Sequence, residues 1–267
     1  MQEILKLFTS LTNIKANNYT IIKEGISNIN YKIDTDEGQY VLRIPRENMI
    51  AIDFANQGKV LKKAKDLNFD VIYYNSENGI MISKFIKLKK ELVSFNEVVT
   101  TLKQLHSLDI TDIEDFDPFT NLYIYKNVIG KTMFDKEEVI ISQAKLLYSK
   151  YDKVLCHNDL LYANFCKDDN RLYLIDYEYS GKNIVLFDLV SFLSENNINE
   201  MYHEQFYHLY FDKVSKDLKQ DIFTMSLFLD ILWGYWGYAM YEKYQEEVFL
   251  NIANEKKHRY HLKVTIF

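Results

Sequence analysis

One short segment of the chain, HNDLLYANF at His157–Phe165, carries residue types that can transfer a phosphoryl group. Together with LIDYEYS, which follows it, this segment supplies Asp159, Asn164 and Asp176. In phosphoryl transfer from a nucleotide, one carboxylate orients and deprotonates the attacking hydroxyl, while an amide and a second carboxylate hold magnesium against the phosphates. The three residues therefore predict these three roles, with ATP and Mg²⁺ as cofactors.

The spacing of these residues makes the pattern more specific than an isolated HxD. The sequence reads HxDxxxxN, and Asp176 then ends the apolar run LYLID. Its carboxylate is expected at the end of a strand, where it can bridge magnesium to the phosphates. The alternative is that HND and LID are ordinary turn-forming acids. We expect His157 to hold the loop by hydrogen bonding and Asp159 to contact the substrate hydroxyl.

A phosphate-binding turn is predicted in EGISNINY, residues 24–31, between two strands. Gly25 allows a tight backbone there, and Ser27 and Asn28 offer backbone and side-chain donors. The next strand, YVLRIP, places Arg43 where a basic residue can neutralise phosphates. Taken alone, Gly-Ile-Ser-Asn is also compatible with a plain turn, and Arg43 with a surface position on an edge strand.

A second group of residues suits a cationic substrate. Trp233 and Trp236 are the two tryptophans of the chain, and their i,i+3 spacing puts them on one face of a helix, one turn after Asp230. Cation–π attraction to indole rings suits a quaternary ammonium group, whose charge cannot donate hydrogen bonds. Glu195 and Glu178 are further candidate anions for the substrate. The alternative is that both indoles are core aromatics.

The composition indicates a globular, acidic chain. Its 267 residues are 48% hydrophobic and 15% aromatic, enough for one large domain or two lobes. A formal net charge of −6 disfavours nucleic acid as the main partner and favours a cationic small-molecule substrate. Cys156 and Cys166 are too few for a disulfide framework, so we expect reduced thiols and a cytoplasmic location.

Neither a signal peptide nor a membrane span is predicted. The N-terminal residues lack a long apolar run followed by a cleavage site. The segment Ile222–Tyr241 is long enough to cross a bilayer, but it has Asp230 near its centre. A charge there is costly in lipid, so a buried helix is expected instead.

Hydrophobic periodicity separates a β-rich first part of the chain from a helical second part. Helices are predicted at 1–11, 53–67, 95–108, 136–151 and over nearly everything after residue 187, and strands at 19–23, 30–34, 39–44, 71–74, 80–86, 154–155, 164–166 and 172–175. We predict an α+β, bilobal fold, with a small β-rich nucleotide-binding lobe over residues 1–86 and a larger, mostly helical catalytic and substrate-binding lobe over 87–267. Backbone groups of Lys84, Phe85 and Ile86, at the start of the polar connector, are expected to bind the nucleobase.

These segments resemble the choline/ethanolamine kinase family, within the aminoglycoside-phosphotransferase and protein-kinase-like fold. The resemblance covers almost the whole chain and is carried by GISNINY, YVLRIP, LHS, HNDLLYANF, IDYEYSGKNIVLFDL and LWGYWGYAMYE. It is closest to bacterial choline kinases that supply phosphorylcholine for decoration of the cell surface. It implies ATP- and Mg²⁺-dependent phosphorylation of the choline hydroxyl, with Arg43 in place of the usual kinase lysine and Trp233 and Trp236 in the choline cage.

The chain departs from the family pattern at two positions. Gln57 stands where the family usually carries a glutamate that pairs with the basic strand residue, and Asn196 follows Glu195 where the family often has tryptophan. A neutral amide cannot supply a charge-assisted pair, so nucleotide affinity or acceptor choice could differ. Two alternatives remain. One is a kinase of ethanolamine, thiamine or an aminoglycoside, which a substrate panel distinguishes. The other is a non-catalytic nucleotide- or choline-binding module, which the presence of Asp159, Asn164 and Asp176 together disfavours.

Overall fold

The structure is a computed structural model that describes residues 2–22, 26–47, 49–89, 93–169 and 171–265. In chain order its helices are α1 (Gln2–Thr12), α2 (Phe54–Lys63), α3 (Phe95–His106), α4 (Pro118–Ile129), α5 (Glu137–Lys150), α6 (Val185–Glu195), α7 (His203–Tyr210), α8 (Lys216–Tyr244) and α9 (Glu247–Val264). Its strands are β1 (Ala16–Ile22), β2 (Asn28–Thr35), β3 (Gly38–Pro45), β4 (Val71–Tyr74), β5 (Met81–Lys84), β6 (Lys153–Cys156), β7 (Phe165–Lys167), β8 (Leu172–Leu174) and β9 (Gly181–Ile184).

The chain divides into two compact units, each made of two segments. The first unit contains Met1–Glu114 and Tyr162–Gly181, and the second contains Asp115–Leu161 and Lys182–Phe267. The first unit carries the larger sheet, and the second is mostly helical. The lobe boundary between residues 86 and 87 stays a prediction.

Among the described residues of the first unit, five strands form an antiparallel sheet in the order β1-β2-β3-β5-β4. β2 and β3 form a hairpin whose register pairs Asn28 with Pro45 at one end and Thr35 with Gly38 at the other. Gly38 has φ of 138°, a backbone conformation that residues with a Cβ rarely adopt. Gly38 therefore suits the tight turn that joins the two strands.

A buried apolar cluster holds helix α1 against this sheet. Phe8 from α1 lies 5.5 Å from Tyr40 of β3, measured between ring centroids. Ile33, Leu42 and Ile82 from three neighbouring strands complete the cluster, and all three are fully buried. Burial of β-branched and aromatic side chains on one face fixes the strand register, which in turn fixes the position of each polar residue on these strands.

Helix α2 is tied to the chain segments around it by hydrogen bonds. The Asp53 carboxylate caps the helix by accepting the Asn56 backbone N–H at 2.9 Å. The Asn56 amide donates to the Ser180 carbonyl at 2.9 Å and accepts from the Glu114 backbone N–H at 2.8 Å. This buried asparagine therefore connects α2 to the chain just after Asp176.

The second unit is organised around α8, a helix of 29 residues. It packs against α4, α5, α6 and α9, and its middle turns are almost entirely buried. The predicted buried segment Ile222–Tyr241 lies inside this helix. Within the part of the chain that the structure describes, none of the helices has the length and apolar character needed to cross a membrane.

Helix α4 is the main element that the sequence prediction missed. It begins with Pro118 after the capping residue Asp117 and ends at Gly130, which adopts a left-handed conformation. Proline in the first turn and glycine just past the end are ordinary helix boundary signals. The remaining predicted helices and strands are confirmed, with ends that differ by a few residues.

Candidate active site

The strand pair β7–β8 brings Asn164 and Asp176 to the same end of one short ladder. Phe165 pairs with Leu174, and the Ile175 backbone N–H donates to the Asn164 carbonyl at 2.9 Å. Asp176 is the next residue after this hydrogen bond. The ladder therefore brings the backbones of Asn164 and Asp176, the two predicted magnesium ligands, close together in the first unit.

Asp176 adopts an unusual backbone conformation. Its φ of 70° and ψ of 58° are left-handed, and it precedes the short 3-10 turn Tyr177–Tyr179. Aspartate tolerates this region better than most residues, yet the conformation still costs free energy. The side chain of Asp176 is 30% exposed, whereas that of Glu178, two residues later, is only 2% exposed.

Arg43 binds both of these carboxylates. It lies inside the sheet on β3, paired with Asn30 and Met81 on the neighbouring strands, and is almost fully buried. Its Nη1 is 2.7 Å from Asp176 Oδ1, and its Nη2 is 2.9 Å from Glu178 Oε2. Burial alone would lower the pKa of Arg43, but the two carboxylates outweigh that effect and raise it.

Glu178 is surrounded by polar groups of the predicted nucleotide-binding turn. The Asn28 side-chain amide donates to Glu178 Oε2 at 2.9 Å, and the Ser27 hydroxyl also stabilises its charged form. Burial and repulsion from Asp176 raise the pKa of Glu178, although Arg43 and these donors oppose the shift. Glu178, predicted to bind the substrate, thus has Arg43 and Asn28 as its partners in this structure.

Gln57 does not bind Arg43, although the sequence placed it where such a contact was possible. Its buried Oε1 lies 2.9 Å from the Tyr74 hydroxyl, which is also 2.8 Å from the Phe54 carbonyl. Within the described residues, the partners of the guanidinium are Asp176 and Glu178. Gln57 is therefore a neutral residue of α2 that is engaged by a tyrosine.

The predicted nucleobase segment follows β5. The backbone N–H of Lys84 donates to the Asp70 carbonyl at 3.0 Å, and that of Phe85 donates to the Gln39 carbonyl at 2.9 Å. Lys84 is exposed, whereas Phe85 and Ile86 are half-buried. Gly25 of the predicted phosphate-binding turn lies outside the described residues.

In the second unit, a buried carboxylate holds the loop that carries Asp159. Asp188, in the first turn of α6, accepts the backbone N–H groups of His157 at 2.8 Å and Asn158 at 2.7 Å. His157 Nδ1 in turn accepts the Asp159 backbone N–H at 3.3 Å, so the predicted hydrogen-bonding role of this histidine is confirmed. Asn158 has φ of 66°, and Asn183 donates to its side-chain oxygen at 2.8 Å.

Sequence reasoning did not assign Asp188 a role. It is completely buried, and a carboxylate that accepts two backbone N–H groups removes two unsatisfied donors from the interior. The signal in the sequence was an acid at the start of the apolar helix LFDLVSFL. Such a residue is rarely buried without partners.

The two tryptophans of α8 contact each other in the second unit. Their ring centroids are 6.2 Å apart and their planes meet at 86°. Phe187 lies 6.4 Å from Trp233, and Phe249 lies 5.7 Å from Trp236, again with edge-to-face geometry. Both indoles are 7% exposed. Perpendicular rings can present two walls to a methylated cation.

The two carboxylates predicted to help bind the substrate are paired with cations of α9. Asp230, completely buried, binds the Arg259 guanidinium and Lys263 Nζ, the latter at 2.7 Å. Glu195 binds Lys256 and, at 3.4 Å, Arg259. Burial would raise the pKa of Glu195, but Lys256 and Arg259 outweigh it and lower that pKa. Burial, reinforced by repulsion from Arg259, lowers the pKa of Lys263 despite the Asp230 carboxylate.

Known proteins resemble the chain in sequence. A family model for choline/ethanolamine kinases matches residues 19–226. Protein LicA of Haemophilus influenzae is 23% identical over 195 residues, which are 66% of this chain and 58% of that protein. A LicA homolog of Mycoplasma capricolum subsp. capricolum is 25% identical over 223 residues, covering 79% of this chain and 87% of the relative.

Solved structures show the same fold. Choline kinase LicA from Streptococcus pneumoniae superposes with a TM-score of 0.80 at 21% identity, covering 99% of both chains. Spectinomycin phosphotransferase APH(9)-Ia, bound to ADP and spectinomycin, gives a TM-score of 0.65 at 15% identity and covers 95% of this chain and 93% of that one. At these identities the likeness shows the fold alone, and it confirms the predicted α+β kinase-like fold.

The matched region spans less than two thirds of the Haemophilus protein, so the activity of that protein does not transfer to this chain by similarity alone. The family model, however, matches well over half of the chain. The predicted resemblance to this family is therefore confirmed. The chain belongs to the choline/ethanolamine kinase family.

Proposed function

We propose that the protein phosphorylates the hydroxyl of choline with ATP to give phosphocholine and ADP. The observation that carries the proposal is the cluster of Arg43, Asp176 and Asn164 at the end of the β7–β8 ladder, in a chain of the choline/ethanolamine kinase family. A solved LicA structure with AMP supports nucleotide binding by this fold. Cys156 and Cys166 are both buried and free, and we further propose a cytoplasmic location from the cysteine content of the chain.

Magnesium fits the residues proposed to hold it. Asn164 and Asp176 offer an amide oxygen and a carboxylate oxygen, the donor types that this ion prefers. Asp176 is also the more exposed of the two carboxylates that contact Arg43, so it keeps access to a ligand. When bound, Mg²⁺ neutralises charge on the phosphates. Arg43 supplies a fixed positive charge beside the same position.

Asp159 is the proposed base. It accepts the proton of the choline hydroxyl as that oxygen bonds to the γ-phosphorus and the bond to the bridging oxygen of ADP breaks. Two backbone N–H groups that are fixed by Asp188 immediately precede it, which supports a well-defined position for this carboxylate. Catalysis by positioning requires a loop that does not rearrange.

Choline suits the second unit better than ethanolamine does. A primary ammonium group needs hydrogen-bond acceptors, but Glu195 and Asp230 already bind Lys256, Arg259 and Lys263. A quaternary ammonium group needs none, because ring faces attract its methyl groups. The perpendicular indoles of α8 therefore favour choline over ethanolamine in this proposal.

The proposed function is tested by an ADP-release assay with Mg-ATP and either choline, ethanolamine or no acceptor. We expect turnover with choline to be well above turnover in the other two conditions. Turnover that prefers ethanolamine would leave the phosphotransfer proposal standing and remove the role of the indoles. ADP binding without turnover on any acceptor would favour a non-catalytic binding module.

The role of Asp159 is tested by Asp159→Asn. The substitution removes the proposed base without changing size, so kcat should fall about 100-fold or more while the Kd for ADP stays unchanged. Asp152→Asn, an exposed aspartate just before β6, is the matched control and should keep full activity. Comparable turnover in Asp159→Asn and the wild type would rule out the proposed base.

A further inference from the structure

Arg43 raises a question that the family pattern does not answer for this chain. A guanidinium that is almost fully buried needs a carboxylate partner, since an unpaired buried charge is strongly destabilising. In the pattern that the sequence resembles, that partner comes from the helix of the sheet-bearing part of the chain. Here the corresponding residue is Gln57, which is neutral and binds the Tyr74 hydroxyl.

The two carboxylates that contact Arg43 are not equivalent. Asp176 is 30% exposed and is the proposed magnesium ligand, so its charge is shared with any bound metal. Glu178 is 2% exposed and lies on the short 3-10 turn Tyr177–Tyr179. The carboxylate that can stay paired with Arg43 while nucleotide and metal bind is therefore Glu178 rather than Asp176.

Glu178 is also fixed in place from the opposite side. The Asn28 amide donates to the same Oε2 that binds Arg43 Nη2, with both distances at 2.9 Å. Asn28 begins β2 and belongs to the predicted nucleotide-binding turn, and Arg43 lies on the adjacent strand. Glu178 thus connects the turn and the basic residue that are proposed to hold the phosphates.

We propose that Glu178 is the positioning residue for Arg43, in place of a carboxylate on helix α2. The proposal rests on the nucleotide-binding role proposed for Arg43. It assigns Glu178 neither to the metal nor to the acceptor. It also explains how the chain functions with glutamine at position 57, because the charge that α2 lacks is supplied after β8.

The structure suggests a second-site test of this assignment. Tyr74 is close enough to Arg43 to affect its pKa, and its hydroxyl lies 2.9 Å from Gln57 Oε1. Gln57 is therefore near the guanidinium, and Gln57→Glu would restore a carboxylate on α2. If Glu178 acts by pairing Arg43, that change should compensate for the loss of Glu178.

The experiment measures ADP binding by calorimetry in EDTA for the wild type, Glu178→Gln, Gln57→Glu and the double variant. Working without metal and without turnover keeps the result independent of choline phosphorylation. We expect Glu178→Gln to weaken ADP binding about tenfold or more, since Arg43 loses its charge-assisted partner. The double variant should recover to within about threefold of the wild type, and the choline KM of every active variant should stay unchanged.

Three results would overturn the assignment. Unchanged metal-free ADP affinity in Glu178→Gln, with weaker Mg-ADP binding, would make Glu178 a metal contact. A shift in choline KM alone would make it an acceptor contact. Weaker ADP binding without recovery in the double variant would show that its charge does not act through Arg43.

Controls separate positioning from folding. Glu137→Gln removes another buried carboxylate, which binds Lys126 and the Tyr235 hydroxyl in the second unit, and should leave ADP affinity unchanged. If Glu178→Gln does not fold, Glu178→Asp keeps the charge but withdraws it by one methylene. Weaker metal-free ADP binding by Glu178→Asp would support the proposal, and full affinity would overturn it.

Discussion

Trp233 and Trp236 show how two residues can favour one acceptor class. Their perpendicular indoles offer ring faces, whereas the carboxylates nearby are already engaged by cations. A quaternary ammonium group is attracted by the ring faces and does not need the carboxylates as hydrogen-bond acceptors. A primary ammonium group has the opposite needs.

Substitution of Trp233 by alanine should raise the choline KM about tenfold and leave the ATP KM unchanged, since cation–π contacts are worth about 1–2 kcal/mol. Steady-state kinetics with each substrate varied in turn measures both values. Phe228→Ala is the matched control, because Phe228 is a fully buried aromatic of the same helix that packs on Phe119. It should lower stability without changing the choline KM. Equal increases in both KM values for Trp233→Ala would remove the indole from the substrate proposal.

Helix α6 and the loop before Asp159 act together at the scale of elements. Asp188, in the first turn of the helix, accepts two N–H groups of the loop, so the loop conformation depends on a residue about 30 positions later in the chain. The left-handed Asn158 shows that this conformation carries some backbone cost. Buried hydrogen bonds offset that cost.

Asp188→Asn should disturb this loop. Replacing one acceptor oxygen by an NH₂ group turns it toward a backbone donor, which should destabilise the protein by about 1–3 kcal/mol. The kcat should fall about tenfold or more, with little change in the ATP KM. Urea unfolding measures the loss of stability, and steady-state kinetics measures the change in kcat.

The control is Asp221→Asn, which removes the charged partner of Lys150 and Tyr151 and should leave kcat unchanged. Unchanged kcat in a destabilised Asp188→Asn would limit Asp188 to folding.

Helix α9 makes the stability of the second unit depend on pH. Lys256 and Arg259 hold the pKa of Glu195 below its ordinary value of 4.5 in the folded protein. The unfolded chain therefore binds this proton first as pH falls, so the stabilisation is present above 4.5 and is lost as pH drops through the folded pKa. Burial alone would have raised the pKa of Glu195, and its contribution to stability would then have changed with pH in the opposite direction.

Comparing Glu195→Gln with the wild type isolates this contribution. The difference in free energy of unfolding should be largest above about pH 5 and should shrink steadily toward pH 3. Urea unfolding at several pH values measures it. Glu204→Gln, an exposed carboxylate that pairs with Lys219, should show a much smaller difference. A wild-type advantage that stays constant down to pH 3 would contradict the lowered pKa.

For the whole molecule, the features that depend on local sequence could be predicted, whereas most contacts between distant residues could not. Strand periodicity and the HxDxxxxN spacing were sufficient for the sheet, most helices and the candidate chemical groups. The pairing of Arg43 with Glu178 could not be predicted from the sequence. The two residues are 135 positions apart in the chain, and the partner of a side chain at that separation depends on tertiary packing. The same holds for Asp230 and Arg259, because an acid in a helix gives no sign of the cation that will cover it.

Ligand binding should stabilise the whole molecule, and the contributions of nucleotide and of metal to that stabilisation can be measured separately. Mg-ADP at about 100 times its Kd should add about 2.7 kcal/mol to folding, which raises the Tm by about 5–10 °C for a chain of this size. Thermal denaturation with ADP in EDTA, and with ADP and Mg²⁺, measures the two increments. Asp176→Asn should lose the increment that depends on magnesium, since the proposed ligand is gone, whereas Asp159→Asn should keep it. A full magnesium increment in Asp176→Asn would exclude Asp176 as the metal ligand, because the ion would then be held without its carboxylate.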